Sequence, residues 1–382
     1  MKYVILRCED YGPPGGQMAP LLEGARTPHL AQLAQAGAAG TSRLDRRGSH
    51  AALDRFRLHR ALLGLERQDA DALPGRCYAE AVDLRLAPEE TAWCCELVTH
   101  REGRIIDPTA GNISTKESAA LVEALNAELG SAARRWTVGS GSHHLCVVRD
   151  PLFAHDEARP VRSPDLLIGQ PWRRHLPSGP AGHALRAVIE QASKLLDGHS
   201  INRVRVDLGE NPANMIWLWG AGGAGPHQTY ADRTGLSATV VSTDFLMQGL
   251  ARALGLGWRT GPASFEERAL QRLLTSLTPM LEQQDLVYVH LAVESGDPVE
   301  RLCAMERIDQ LLLKSLTEQL PRLGPWRLLV AVDDCRLGAV PFVAVGTGLA
   351  RQPVAALTAD RFMASPLAFR DGAGWFAWFT RR

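Results

Sequence analysis

Gly48, Ser49 and His50 stand in the stretch RRGSHAA, residues 46–52, and put a hydroxyl next to an imidazole. A serine hydroxyl is a weak nucleophile at its ordinary pKa, so it attacks only when a base takes its proton or a metal ion holds its oxygen. Adjacency does not make His50 that base, because neighbouring side chains diverge in a helix or a strand. A polar loop is the plain alternative for such a dipeptide. Glu9 and Asp10 carry the next chemistry-bearing groups: they follow the apolar run Tyr3 to Leu6 and precede Tyr-Gly-Pro-Pro-Gly-Gly. That pattern reads as a buried strand and then a loop, which places the two carboxylates at the C-terminal edge where open α/β sheets keep their sites.

The elements that must hold these groups follow from the rest of the chain. At 382 residues, 45% of them hydrophobic, it exceeds the size at which one core stops growing, so two domains are expected. Apolar runs at Met215 to Leu218, Thr239 to Ser242, Leu286 to Leu291 and Leu328 to Val332 read as strands. Helical patterns lie at 27–37, 114–129, 243–254, 265–281 and 299–320; Pro28 starts the first, and Ser114 with Glu117 has capping-box spacing in the second. Strand then helix, repeated, predicts a mostly parallel sheet covered on both faces. Residues 150–182, rich in Pro, Arg and His, read as loop.

Lys plus Arg (42) balance Asp plus Glu (42), which argues against nucleic acid or an anionic membrane as the main partner. Seven cysteines are odd in number and scattered without CxxC spacing, as expected of reduced thiols in a cytoplasmic protein. The opening MKYVILRCED meets charge too soon for a signal sequence, and no later apolar run reaches spanning length.

The segment HSINRVRVDLGENPANMIWLWGAGG, residues 199–223, resembles a signature of the archaeal-type, cofactor-independent phosphoglycerate mutases. Their pattern runs His-Pro-x-Asn-x-x-Arg, then Gly-Lys-x-Pro-Ala-Asn-x-Ile-Trp-Leu-Trp-Gly. DPTAGNISTKES (107–118), VVSTDFLMQGLARALGL (240–256), DLVYVHLA (285–292) and MERID (305–309) extend the likeness from end to end. The resemblance implies an α/β fold of the alkaline phosphatase superfamily, a doubly wound core with an inserted α+β cap domain. The core is then expected at 1–76 plus 206–382 and the cap at 77–205. It further implies that Ser49 takes a phosphoryl group between two divalent metals and returns it to another hydroxyl of the substrate.

Carried over residue by residue, the likeness thins at the chemistry. Asp10 matches the first metal ligand, and Ser49 matches the nucleophile, with His50 where the family has aspartate. HLAVESGDPVER holds Glu294, Gly296 and Asp297 where Asp-Glu-x-Gly-His is expected, with no histidine. Asp333 and Asp334 stand for an Asp-His pair, and the loop that should carry a final histidine before Val340-Pro341 is missing. The metal set implied here is therefore Asp10, Ser49, Asp333 and Asp334.

In the cap, Cys94-Cys95-Glu96-Leu97-Val98-Thr99 replaces Arg-Cys-Asn-Leu-Val-Thr, and Ser142-His143-His144 replaces Tyr-Arg-His. Gln248 replaces a core lysine, so three expected anion contacts are absent. Asn202, Arg203, Arg205, Asn214 and the pair His155-Asp156 remain as implied substrate contacts. A structural reading competes for some of them: Trp217 and Trp219 alternate on a strand as packing residues do, and Asn214 after Pro-Ala closes a turn.

Loss concentrated at ligands while fold-bearing segments persist points to a mutase-like pseudoenzyme with a binding or regulatory role. Its expected partner is a small phosphorylated metabolite or a protein, and its expected cofactor is none or at most one divalent metal, manganese, magnesium, zinc or cobalt. The alternative is a metal-dependent phosphotransferase, phosphomutase or phosphatase that uses Ser49. A full two-metal mutase would need replacement ligands, for which His29, His50, His59, His143, His144 and His290 are the candidates.

Overall fold

The computed structural model describes residues 1–10, 21–42, 55–65, 73–153, 161–225, 228–293, 297–332 and 339–381. It divides into two compact units, residues 1–68 with 228–382, and residues 69–227. Among the described residues, no helix is long and apolar enough to cross a membrane.

The first unit is built on an eight-stranded sheet. With strands numbered along the whole chain, its members are β1 (Lys2–Asp10), β2 (Ala38–Ser42), β8 (Ala238–Ser242), β9 (Gly257–Thr260), β10 (Leu286–Val293), β11 (Trp326–Val332), β12 (Val340–Gly346) and β13 (Ala368–Phe369). Their spatial order is β13-β2-β12-β11-β1-β10-β8-β9. β1 lies in the middle, parallel to both β10 and β11, and β8 runs parallel to β10. β12 is antiparallel to both of its neighbours, which leaves β2 pointing the same way as β11.

Both faces of β1 are buried, as its near-continuous apolar run requires. Val4, Leu6 and Cys8 join Val287, Val289, Leu328 and Val330 against Leu270, Leu273 and Leu277 of the helix Glu267–Gln283. On the other face, Ile5 and Leu329 meet Ala61 and Leu62 of the helix Arg55–Leu62 and Trp375 and Phe379 of the helix Gly372–Thr380. Strand alternation puts Tyr3, Arg7 and Glu9 on this second face.

The predicted helix at 27–37 is Pro28–Ala36, but Thr27 makes no side-chain capping bond. Its cap comes from far along the chain. The buried Asp309 carboxylate accepts the backbone N–H of Leu30 at 2.8 Å and of His29 at 3.1 Å. Burial pushes the Asp309 carboxyl up despite these bonds. Asp309 lies in a π-helical turn, Ile308–Leu313, that interrupts the predicted 299–320 helix.

The second unit carries a five-stranded sheet of β3 (Thr91–Arg101), β4 (Arg104–Asp107), β5 (Arg134–Ser140), β6 (His143–Val148) and β7 (Met215–Gly223). β3 pairs antiparallel with β4, β6 and β7. This corrects the expected boundary at 206: the Trp217/Trp219 strand belongs to this unit, because β7 hydrogen-bonds β3 from Thr91↔Gly223 to Val98↔Met215. Alternation marks a strand, yet says nothing about which sheet accepts it. The helix Pro74–Ala81 packs on β3 and β7, so closely that a Cβ at Gly75 would lie 2.0 Å from the Ala92 carbonyl oxygen. The helix Thr115–Leu129 begins with the capping box of Ser114 and Glu117 read from the sequence. Residues 150–182 contain short 3-10 turns at Pro151–Phe153, Pro164–Leu167 and Trp172–His175.

An acid-sensitive ion pair ties this unit together. Arg135 forks the buried Glu90 carboxylate at 2.6 and 3.2 Å, and Arg149 Nε donates to it at 3.1 Å. Arg135, with lesser help from Ala87 N–H and Arg149, outweighs burial and lowers the Glu90 pKa from 4.5 to about 2. A depressed carboxyl pKa adds stability above the unfolded value and loses it as pH falls through the folded one. Stability of the second unit should therefore decline between pH 4.5 and about 2 through this group. Glu90→Gln should flatten that part of the acid-denaturation curve. At neutral pH it should cost about 1–2 kcal/mol, since both arginines are partly exposed and screened.

Candidate functional site

β1, β2, β8, β10 and β11 all end at the same edge of the first sheet, by the parallel pairings given above. Asp10 is the last residue of β1. Residues 43, 294 and 333 follow directly on β2, β10 and β11. Ser49, His50, Glu294, Gly296, Asp333, Asp334, His155 and Asp156 lie outside the described residues. Asp297 is described, and it caps the helix Pro298–Arg307 by accepting Val299 N–H at 2.8 Å.

Just inside this edge, on the second face of β1, six buried polar side chains meet. Arg7 Nη2 lies 2.8 Å from Glu9 Oε2, and His290 Nε2 lies 2.8 Å from the same oxygen. His290 Nδ1 is 2.9 Å from Ser242 Oγ, which also accepts Asp244 N–H at 3.0 Å. His59 Nδ1 is 2.7 Å from Tyr288 OH, and its Nε2 stands 4.0 Å from Glu9 Oε2. The two imidazole rings meet edge to face with centroids 4.5 Å apart. None of the six is more than 2% exposed.

Local sequence explains the meeting. Arg7 and Glu9 share a face of β1, Tyr288 and His290 share the matching face of β10, and Arg7 is in register with His290. Ser242 ends β8, and His59 comes from the helix Arg55–Leu62. The sequence offers His59 and His290 only as two of six candidate replacement histidines and Glu9 as an edge carboxylate, and it does not single out Arg7, Tyr288 or Ser242. The one local signal was charge, Arg7 and Glu9, inside the end of an apolar strand.

Two divalent ions bring four positive charges, which a site must compensate with several carboxylates. Glu9, His59 and His290 are the group among the described residues whose donor atoms all lie within 4.8 Å of one another. They supply one carboxylate, and the buried Arg7 guanidinium already faces it. This donor set fits one ion and does not fit two.

In the second unit, the retained motif residues are bound up in the scaffold. Asn202 Nδ2 donates to the carbonyls of Leu196 and Ala213, and its Oδ1 accepts Ala213 N–H. Arg205, 3% exposed, reaches Glu117 at 2.8 Å, Glu210 at 3.0 Å and the carbonyls of Ala110 and Asn211. Asn214 exchanges bonds with the backbone of His100, and Arg203 donates to the Gly198 carbonyl. Trp217 is fully buried and donates to the Arg162 carbonyl.

Two of the altered cap positions, Glu96 and His143, touch each other. His143 Nδ1 lies 2.6 Å from Glu96 Oε2, Tyr78 OH donates to Glu96 Oε1 at 2.6 Å, and Trp219 Nε1 donates to the same oxygen at 3.2 Å. Burial pushes the Glu96 carboxyl up, but His143, Tyr78 and Trp219 together outweigh it and hold it below the ordinary range. A buried negative charge thus stands on β3 where an asparagine was expected, beside a histidine where an arginine was expected.

A family model described as 2,3-bisphosphoglycerate-independent phosphoglycerate mutase matches residues 56–202. The protein of that name from Methanothrix thermoacetophila is 30% identical over 374 residues, covering 91% of this chain and 92% of its own. The second such mutase of Methanothermobacter thermautotrophicus is 30% identical over 335 residues, covering 84% and 81%. Among solved structures, the cofactor-independent phosphoglycerate mutase from Thermoplasma acidophilum matches with TM-score 0.57 at 20% identity, covering 99% of this chain and 98% of that one. The PH0037 protein from Pyrococcus horikoshii matches with TM-score 0.67 at 18% identity, covering 99% and 96%. The two structural likenesses carry the fold, an α/β arrangement of the alkaline-phosphatase type. With sequence likeness running nearly the full length of both proteins, the chain belongs to the 2,3-bisphosphoglycerate-independent phosphoglycerate mutase family.

Proposed function

We propose that this mutase-like protein has given up two-metal phosphotransfer and acts by binding, as a regulatory or ligand-holding member of its family. The observation that carries the reading is Arg7, a guanidinium buried within the C-terminal edge of β1, three residues before Asp10, and paired with Glu9. A fixed positive charge there opposes a pair of divalent ions, because charges a few ångströms apart in a dry interior repel far more strongly than in water. The buried Glu96 carboxylate supports the same reading from the second unit, since it disfavours a phosphate at a position expected to attract one. A small phosphorylated metabolite held without turnover, or a protein partner, is the expected ligand.

One observation favours a second reading, a phosphotransferase or phosphatase using Ser49 with one metal. The strands that precede Ser49, Asp333 and Asp334 end at the same sheet edge as Asp10. Trapping separates the two. Incubation with 3-phosphoglycerate and manganese, followed by acid quench and peptide mass spectrometry, should leave Ser49 unmodified. A phosphoserine at residue 49 that is lost in Ser49→Ala would replace the binding reading with the one-metal enzyme.

A further inference from the structure

We infer that Glu9, His59 and His290 form a site for a single borderline divalent cation of the zinc or cobalt class, on the opposite face of β1 from Cys8. This goes beyond the proposed loss of two-metal chemistry and assigns a site that the family's ligand pattern does not contain.

The geometry is that of a prepared pair of imidazole ligands. Both rings are anchored through Nδ1, His290 on Ser242 Oγ at 2.9 Å and His59 on Tyr288 OH at 2.7 Å. Both Nε2 atoms then face the same carboxylate oxygen, at 2.8 and 4.0 Å. Metal-binding histidines are characteristically oriented in this way, with the second nitrogen held by an outer partner that fixes tautomer and ring plane. Zinc takes imidazole nitrogen at about 2.0–2.1 Å and carboxylate oxygen at about 2.0–2.2 Å. Donor atoms within 4.8 Å of one another need only small side-chain movements to reach those values around one ion.

The hydroxyl partners also permit the protonation change that binding requires. Without an ion, His290 can donate through Nε2 to Glu9 Oε2 and accept from Ser242 Oγ at Nδ1. An ion needs the Nε2 lone pair, so the ring proton moves to Nδ1 and Ser242 Oγ becomes its acceptor; a hydroxyl serves in either direction. Tyr288 OH accepts from His59 Nδ1 in the same way. Two nitrogen donors and one oxygen select zinc or cobalt over magnesium and calcium, which prefer all-oxygen shells.

Arg7 sets the number of ions. It compensates Glu9 in advance, so one ion leaves a net buried charge of plus two on these groups, counted from Arg7, Glu9 and two neutral rings, and a second would double it. The same charge weakens the hold on the one ion. Arg7→Met should therefore tighten binding.

Cobalt(II) titration of the full chain tests the inference. We expect one ion per chain, ligand-field absorption of four- or five-coordinate intensity, and two shifted, slowly exchanging imidazole N–H protons in the paramagnetic NMR spectrum. Those protons are the Nδ1–H groups bonded to Ser242 and Tyr288, and they report coordination without any variant. His59→Gln and His290→Gln should each weaken cobalt binding more than about 100-fold, beyond the loss usual for a supporting residue. Asp10→Asn and Asp333→Asn should leave it unchanged. Absence of binding at millimolar cobalt, or binding that survives both histidine changes and fails in the aspartate variants, overturns this site and leaves the proposed function standing. Two ions per chain would overturn both.

Discussion

Replacing Arg7 by alanine is expected to destabilise the first unit by about 3–5 kcal/mol, the loss typical when one partner of a buried ion pair is removed. Arg7 and Glu9 are each no more than 2% exposed, so water does not take over the guanidinium's role. Glu9 would keep His290 at 2.8 Å but lose its guanidinium, and a buried carboxylate deprived of its counter-charge is costly. The double variant Arg7→Leu, Glu9→Leu removes both charges together and should recover most of the loss, because well-packed apolar groups replace buried ion pairs with little penalty. Urea unfolding followed by a probe in the first unit measures both. If Arg7→Ala shifted the transition by less than about 1 kcal/mol, the pair would be solvated in solution and its role at the sheet edge would fall.

Most of the secondary structure was legible because it is locally encoded. Apolar runs bounded by charge gave β1, β8, β10 and β11, and Ser114 with Glu117 gave the start of the helix Thr115–Leu129. What escaped depends on contacts distant in sequence. Asp309 caps a helix about 280 positions earlier, and nothing near Thr27 announces it. The Trp217/Trp219 strand was legible as a strand but not as a partner of β3, since period-two alternation is the same in either sheet.

The candidate site shows the same division. Glu9, His59, Ser242, Tyr288 and His290 come from four separate elements; the parallel register of β1, β8 and β10 aligns four of them, and the helix Arg55–Leu62 brings His59 onto that face. Conversely, Asn202, Arg205 and Asn214 stood out because they sit in a dense motif, and in the structure Asn202 and Arg205 tie the helix Ser200–Asp207 to the backbone of residues 211–213 ahead of β7, while Asn214 bonds the backbone of His100 in β3. A motif's density reports constraint. It does not by itself say whether the constraint is chemistry or scaffold.

Interconversion of 2- and 3-phosphoglycerate tests the central claim most directly. Removing one electrostatic stabiliser of a transition state commonly costs about two to three orders of magnitude in rate, and here several differ at once: the missing histidine after β10, the missing loop before β12, and Glu96 with His143 in the cap. The losses compound because the groups act on the same transferring phosphoryl. A coupled assay of the full chain, run with manganese, magnesium, cobalt and zinc in turn, should give no rate above that of the Ser49→Ala variant. A metal-dependent turnover of about one per second or faster, within the range typical of working enzymes and abolished by Ser49→Ala, would contradict the account.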